Sequence, residues 1–144
     1  MNQLNEKIVL PGRETLELSI GLDEAHTVKH WSLRGIGDLE FLKELSSYRK
    51  TTVNTIDDFL IPQGTSVFAL MIKELILKTR GQWNHPFDEE ILCNCRGIPF
   101  QTVDRAIMVG AHTPEEVSAQ TSASTSCGTC RVHVENIINY RLKK

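Results

Sequence analysis

Apolar and polar positions alternate over the first part of the chain and then change period. Between Thr15 and Ile20, Leu16, Leu18 and Ile20 alternate with Glu17 and Ser19, and Ile8 to Leu10 leads into them through a Pro11-Gly12 turn. A period of two sends successive side chains to opposite faces, so these segments read as a β-hairpin. The alternation returns from Val28 to Leu33, with Val28, His30 and Ser32 on one side and Lys29, Trp31 and Leu33 on the other. This predicts a third strand and a small antiparallel sheet with one face left to cover.

Helical periods supply the cover. After Gly35-Ile36-Gly37, Asp38 is placed to cap a helix reaching about Tyr48, in which Phe41, Leu42, Leu45 and Tyr48 form one buried face. A shorter helix is expected from Val53 to Leu60, entered through Thr51 or Thr52 and stopped by Pro62. From Thr65 to Arg80, Val67, Leu70, Met71, Leu75 and Leu77 make a broad apolar stripe interrupted by Glu74, and Gly81 closes the helix. Pro99 opens another short helix with Val103, Ala106 and Ile107 inward and Gly110 at its end. Thr113-Pro114-Glu115-Glu116 is a capping signature for a helix ending near Gln120. A last helix, from about Thr129 to Leu142, places Val134, Ile137, Ile138 and Arg141 on successive turns. The fold class is therefore α+β. Residues 1–81 are expected to form a domain of antiparallel sheet and helices, 82–90 a linker containing Trp83, His85 and Pro86, and 91–144 a small all-helical domain.

Bulk properties narrow the partners. A net charge of −2 over 144 residues with 24% charged side chains is that of an ordinary globular protein, with no strong attraction to nucleic acid or an anionic membrane. Lys73 and Glu74 interrupt the longest apolar segment, Val67 to Leu77, so no bilayer-spanning helix is expected. The first ten residues hold one basic residue, Lys7, and no apolar run, unlike a secretory signal. The expected address is cytoplasmic, where thiols stay reduced.

The candidate chemistry lies in the four cysteines, which fall in two pairs, Cys93-Asn94-Cys95 and Cys127-Gly128-Thr129-Cys130. Each pair sits beside a glycine, Gly97 or Gly128, where the chain must bend sharply. Four thiolates suit a soft metal ion or an iron–sulfur cluster. Three readings compete on the residues alone: a [2Fe–2S] cluster, a structural zinc site, and thiols without metal. The one-residue gap of Cys93 and Cys95 fits the usual zinc hairpins poorly, without excluding zinc.

From Ile91 to about Tyr140 the chain resembles the bacterioferritin-associated ferredoxin type of [2Fe–2S] domain, also found in nitrogen-fixation U-type proteins, nitrite reductases and copper chaperones. The resemblance rests on Cys93-Asn94-Cys95-Arg96-Gly97, on 31 residues with two short helices between Cys95 and Cys127, and on Cys127-Gly128-Thr129-Cys130 leading into a helix. It implies ligand roles for Cys93, Cys95, Cys127 and Cys130. Arg96 and Arg131, adjacent to ligands, could tune the cluster or be solvated; His112 and His133 read as a capping-loop and an exposed histidine. The order of a small sheet and helices before this domain is similar to the cluster-assembly scaffold of U-type proteins, yet no cysteine precedes Cys93. His26 and His30, near Asp23 and Glu24, fall on turn and strand, where an i, i+4 pair shares no face, so a metal site there is not expected.

The resemblance implies a cluster-binding protein of electron transfer or of iron and iron–sulfur metabolism, not an enzyme by itself. Its partner would be a redox protein or an iron–sulfur or iron-storage protein. The alternatives are an assembly carrier that hands its cluster on, and a zinc-stapled interaction module without a redox role.

Overall fold

An antiparallel meander opens the chain: β1 (Asn2–Val9), β2 (Thr15–Leu22) and β3 (Val28–Ile36), with β2 in the centre. The computed structural model describes residues 2–10, 12–83, 91–93, 98–121 and 131–142. Leu16, Leu18, Ile20 and Leu22 are all buried, as the alternation predicts for a central strand with one covered face. β1 starts six residues before the expected Ile8, because pairing with β2 recruits a polar stretch. In that register Glu6 stands opposite Leu18, a place where the alternation would want an apolar residue. The hairpin closes through Leu10 N–H to Glu14 C=O at 2.8 Å and Arg13 N–H to Leu10 C=O at 2.9 Å. Gly12 supplies the positive φ of +72° that this turn requires.

The β2–β3 register shifts between Gly21 and Leu22: Gly21 pairs with His30, but Leu22 pairs with Val28. Lys29 is therefore an extra residue, a β-bulge that flips the strand's facing. Val28 and Leu33, which strict alternation puts on opposite sides, are both buried as a result. At the Gly21–His30 pair the imidazole lies where a side chain on Gly21 would be.

Helix α1 (Leu39–Tyr48) starts as predicted, with the Asp38 carboxylate accepting from Phe41 N–H at 2.9 Å. Phe41, Leu45 and Tyr48 are buried, whereas Leu42, expected on the same face, is 42% exposed. A Cβ on Gly37 would meet the Phe41 ring at 2.5 Å, so this glycine is what lets the ring close over the end of β3. Trp31 meets Tyr48 and Phe59 edge-on, with centroids 6.3 and 5.1 Å away. The Tyr48 hydroxyl donates to Leu60 C=O at 2.7 Å, and burial pushes its phenol well above the usual range.

The helix expected over Val53 to Leu60 shrinks to one 3-10 turn, Ile56–Asp58. Asp58 accepts from Asn54 N–H and Thr55 N–H, both at 2.9 Å, so entry is at Thr55 and not at Thr51 or Thr52. Those two N–H groups hold the Asp58 carboxyl below its usual range. Arg80 takes the far end, donating to Phe59 C=O at 2.7 Å and Asp57 C=O at 3.1 Å, so a side chain satisfies carbonyls that a longer helix would have used internally.

Helix α2 (Val67–Thr79) is buried around much of its circumference. Its one buried charge, Glu74, pairs with Lys78 a turn later at 2.8 Å. Gly81, at φ +68°, ends it with Gln82 N–H on Leu77 C=O and Gly81 N–H on Lys78 C=O, the paired closure that a left-handed glycine allows.

The chain divides into two compact units, Met1–Gln63 with Met71–Trp83, and Gly64–Leu70 with Asn84–Lys144. Most of the linker expected at 82–90 lies outside the described residues. The second unit contains β4 (Ile91–Cys93), β5 (Ile98–Pro99), α3 (Phe100–Met108), α4 (Pro114–Thr121) and α5 (Arg131–Leu142). The β4–β5 ladder is an addition to the expected helices. Among the described residues, no helix is long and apolar enough to cross a membrane.

Leu18→Ala, emptying the centre of β2, should cost about 2–5 kcal/mol. Leu39→Gln, at a 67% exposed position, should stay within about 0.5 kcal/mol of the parent. Urea unfolding followed by far-UV circular dichroism measures both.

Candidate metal centre

Helix α3 is the platform of the second unit. Both strands of the β4–β5 ladder pack against it, and so do α4 and α5. Val103, Ala106 and Ile107 face inward, joined by Ala111, Val117, Val134, Ile137 and Ile138, with Leu142 against the cluster. Gly110, at φ +128°, ends α3 with Ala111 N–H on Ala106 C=O and Gly110 N–H on Ile107 C=O. That closure turns Ala111 back into the core beside Ala106. The cap of α4 is as predicted on one side, Glu116 N–H donating to Thr113 Oγ1 at 3.2 Å. The Glu116 carboxylate reaches the N–H of His112, at 3.4 Å, one residue earlier than a capping box would have it.

The candidate ligands belong to the ends of elements that rest on α3. Cys93 is the last residue of β4 and stands opposite Ile98 of β5. Cys95 lies in the 94–97 connection between the two strands, outside the described residues, as do Arg96, Cys127 and Cys130. Helix α5 begins at Arg131, the residue after Cys130. Cys93 is thus carried by the ladder, the second pair precedes α5 in sequence, and the ladder and α5 both pack on α3. The donor set, four thiols in two pairs, fits a four-thiolate iron–sulfur centre.

Arg131 is engaged by two carboxylates. Its Nη2 meets Glu115 at 2.6 Å and its Nε meets Glu135 at 3.1 Å, an exposed link between the first turns of α4 and α5. The guanidinium hydrogen bond holds the Glu115 carboxyl below its usual value. With the folded-state pKa lowered, the link is complete above pH 4.5 and is lost as pH falls through the lowered value. It is also open to salt screening. His133 is exposed, as expected. His112 is half-buried, and its Nε2 is buried without a hydrogen-bond partner among the described residues.

The residue that sequence reasoning left without a partner is Arg141. It is 4% exposed, on the apolar side of α5, and pairs with Asp104 of α3 through two bonds of 2.8 and 2.6 Å. The signal was present: an arginine at an inward position needs a carboxylate. Which one, 37 residues away, only packing tells.

In the first unit, Asp23 is occupied locally. Its Oδ1 accepts from Ala25 N–H and Thr27 N–H at 2.9 Å, and its Oδ2 pairs with Lys29 at 3.4 Å. Among the described residues no three His, Cys, Asp or Glu side chains gather as metal ligands.

Residues 91–142 thus comprise a short ladder and three helices, in a stretch of sequence that holds both cysteine pairs. Residues 91–140 match the BFD-like [2Fe-2S] binding domain, and the cofactor this identifies is a [2Fe–2S] cluster. The same segment is similar to the nitrite reductase [NAD(P)H] of Bacillus subtilis (strain 168), 39% identical over 56 residues, which are 38% of this chain and 7% of that protein. It is also similar to the nitrogen fixation protein NifU of Azospirillum brasilense, 38% identical over 56 residues, 38% of this chain and 18% of that one. The chain therefore spans under a fifth of either relative's length. No solved structure matches it significantly. The likeness of residues 1–81 to a U-type scaffold lies outside these matched segments.

Asp104→Ala, which strands Arg141 in the core, should destabilise the second unit by about 3–5 kcal/mol. Replacing both partners with Leu and Met should recover most of that loss. Thermal unfolding of the metal-free chain, followed by circular dichroism, distinguishes the two.

Proposed function

We propose that this chain is a [2Fe–2S] protein whose cluster is held by Cys93, Cys95, Cys127 and Cys130 and serves electron transfer or iron and iron–sulfur metabolism. The observation that carries the reading is the match of residues 91–140 to a [2Fe-2S] binding domain that contains all four cysteines of the chain. The packing of the ladder and of α5 on one helix supports it, since it fixes the elements next to both ligand pairs.

Bound, the cluster would supply a reversible one-electron couple. The residues of the chain would supply the thiolates, while the closed core beneath them resists rearrangement. Four cysteines leave no coordination position open, so substrate activation is not part of the reading and the chain acts as a carrier rather than as an enzyme. Its counterpart would be another protein, a redox partner or one that handles iron or clusters, met in the cytoplasm.

Anaerobic purification, then iron, zinc and acid-labile sulfide analysis with visible spectra before and after dithionite, tests this reading. The expected result is about two irons and two sulfides per chain, with colour that bleaches on reduction. Near one zinc with no sulfide after iron-replete anaerobic expression would reject it. Cys95→Ser and Cys127→Ser should each abolish normal cluster retention while the circular dichroism of the first unit persists.

A further inference from the structure

β3 is an edge strand, and at its start Val28 N–H donates to Asn54 C=O at 2.8 Å. Leu10 and Glu14 close the first hairpin as a hydrogen-bonded pair, and pairs alternate along an antiparallel ladder. Even-numbered residues of β2 therefore turn their N–H and C=O toward β1, and Glu17 and Ser19 turn theirs toward Arg34 and Ser32 of β3. It follows that Trp31 and Leu33 present their backbone groups to the open side. Arg49 Nε confirms the direction by donating to Leu33 C=O at 2.7 Å. β3 ends the sheet, and among the described residues no backbone group pairs with Trp31 N–H, Trp31 C=O or Leu33 N–H.

An open depression of about 430 Å³ follows this edge, lined by Trp31, Ser32, Leu33, Arg34 and Arg49. Its charge is one-sided. Its charged lining is Arg34 and Arg49, with no carboxylate, and Lys50 follows exposed at the end of α1; Lys29, farther along β3, is paired with Asp23. Arg34, with its side chain 74% exposed, meets Glu17 only at 3.8 Å, and Arg49 has no carboxylate within ion-pair distance among the described residues. A chain of net charge −2 thus carries a basic strip along an unpaired strand edge. Sheet edges left unguarded pair with other strands; here the bulge at Lys29 and the Val28–Asn54 bond guard only the start of β3, and Trp31 to Arg34 lie beyond them.

We propose that the Trp31–Arg34 edge docks an extended acidic segment of a partner protein as a fourth strand. Backbone bonds to Trp31 and Leu33 would hold the segment, and its carboxylates would reach Arg34 and Arg49. All of these residues belong to the first unit, so the inference stands independently of the cluster.

The test uses the full chain, labelled with nitrogen-15, and an acetylated eight-residue peptide alternating glutamate and valine. Saturable shifts and slowed hydrogen exchange at the Trp31 and Leu33 amides are expected, weakening with salt. Arg34→Glu should lower the affinity about tenfold or more, as should a peptide N-methylated at alternate amides. Arg49→Glu should act likewise; because Arg49 also holds Leu33, the exposed Arg34 carries the decision. Equal binding of the N-methylated peptide, or of Arg34→Glu, would overturn the proposal. So would preferential binding of a single-stranded oligonucleotide to the same strip, or no shift at these amides at millimolar peptide.

Discussion

Burial of one face of α3 is the constraint on which the second unit depends. Helix α3 packs against both strands of the β4–β5 ladder as well as α4 and α5, and its Val103, Ala106 and Ile107 share a core with Val117, Val134, Ile137 and Ile138. Burying a Val or Ile side chain is worth about 1.5–3 kcal/mol, so this shared core contributes substantially to the stability of the unit. The Asp104–Arg141 pair adds direction rather than simple adhesion, because two bonds at fixed angles allow one setting of α5 against α3. Cys93 ends a strand of the ladder that rests on α3, and α5 begins at the residue after Cys130 in sequence.

The first unit solves a different problem. A three-stranded sheet buries one face and leaves two edges, and its inner face is filled by the fully buried Leu16, Leu18 and Ile20 together with Leu33, Phe41 and Phe59. Trp31 joins the sheet to α1 and to the 3-10 turn through its contacts with Tyr48 and Phe59. Arginines then finish the polar accounting. Arg49 takes the carbonyl of Leu33, and Arg80 takes three carbonyls around the 3-10 turn. These long side chains replace backbone partners where the chain is too irregular to supply them.

The two units differ in chemistry as they do in architecture. The first has no cysteine, its acidic turn residues are engaged by backbone N–H groups, and its distinguishing surface is a basic strand edge. The second holds every thiol of the chain within a segment shared with proteins of much greater length. The two proposals are compatible: the second unit would hold the cluster, and the edge of the first would be open to a partner.

Periodicity and caps were legible in the residues. Alternation gave β2 its buried face, Asp38 and Thr113 marked their helices, and Gly81 and Gly110 marked the ends, because each depends on neighbours within about five residues. The cysteine spacings by themselves identified the chemistry to look for, since ligand type is a local property. What depended on distant partners was not legible. The polar start of β1 is a strand because β2 pairs with it, Val28 is buried because a bulge at Lys29 reverses its side, and the helix expected near Leu60 gives way to one turn whose carbonyls Arg80 occupies. Arg141 shows the division most clearly. Its place on an inward face was written in the spacing of α5, but its neutralisation by Asp104 exists only once α3 and α5 are packed, since a buried charge is tolerable only where the fold brings its counterion.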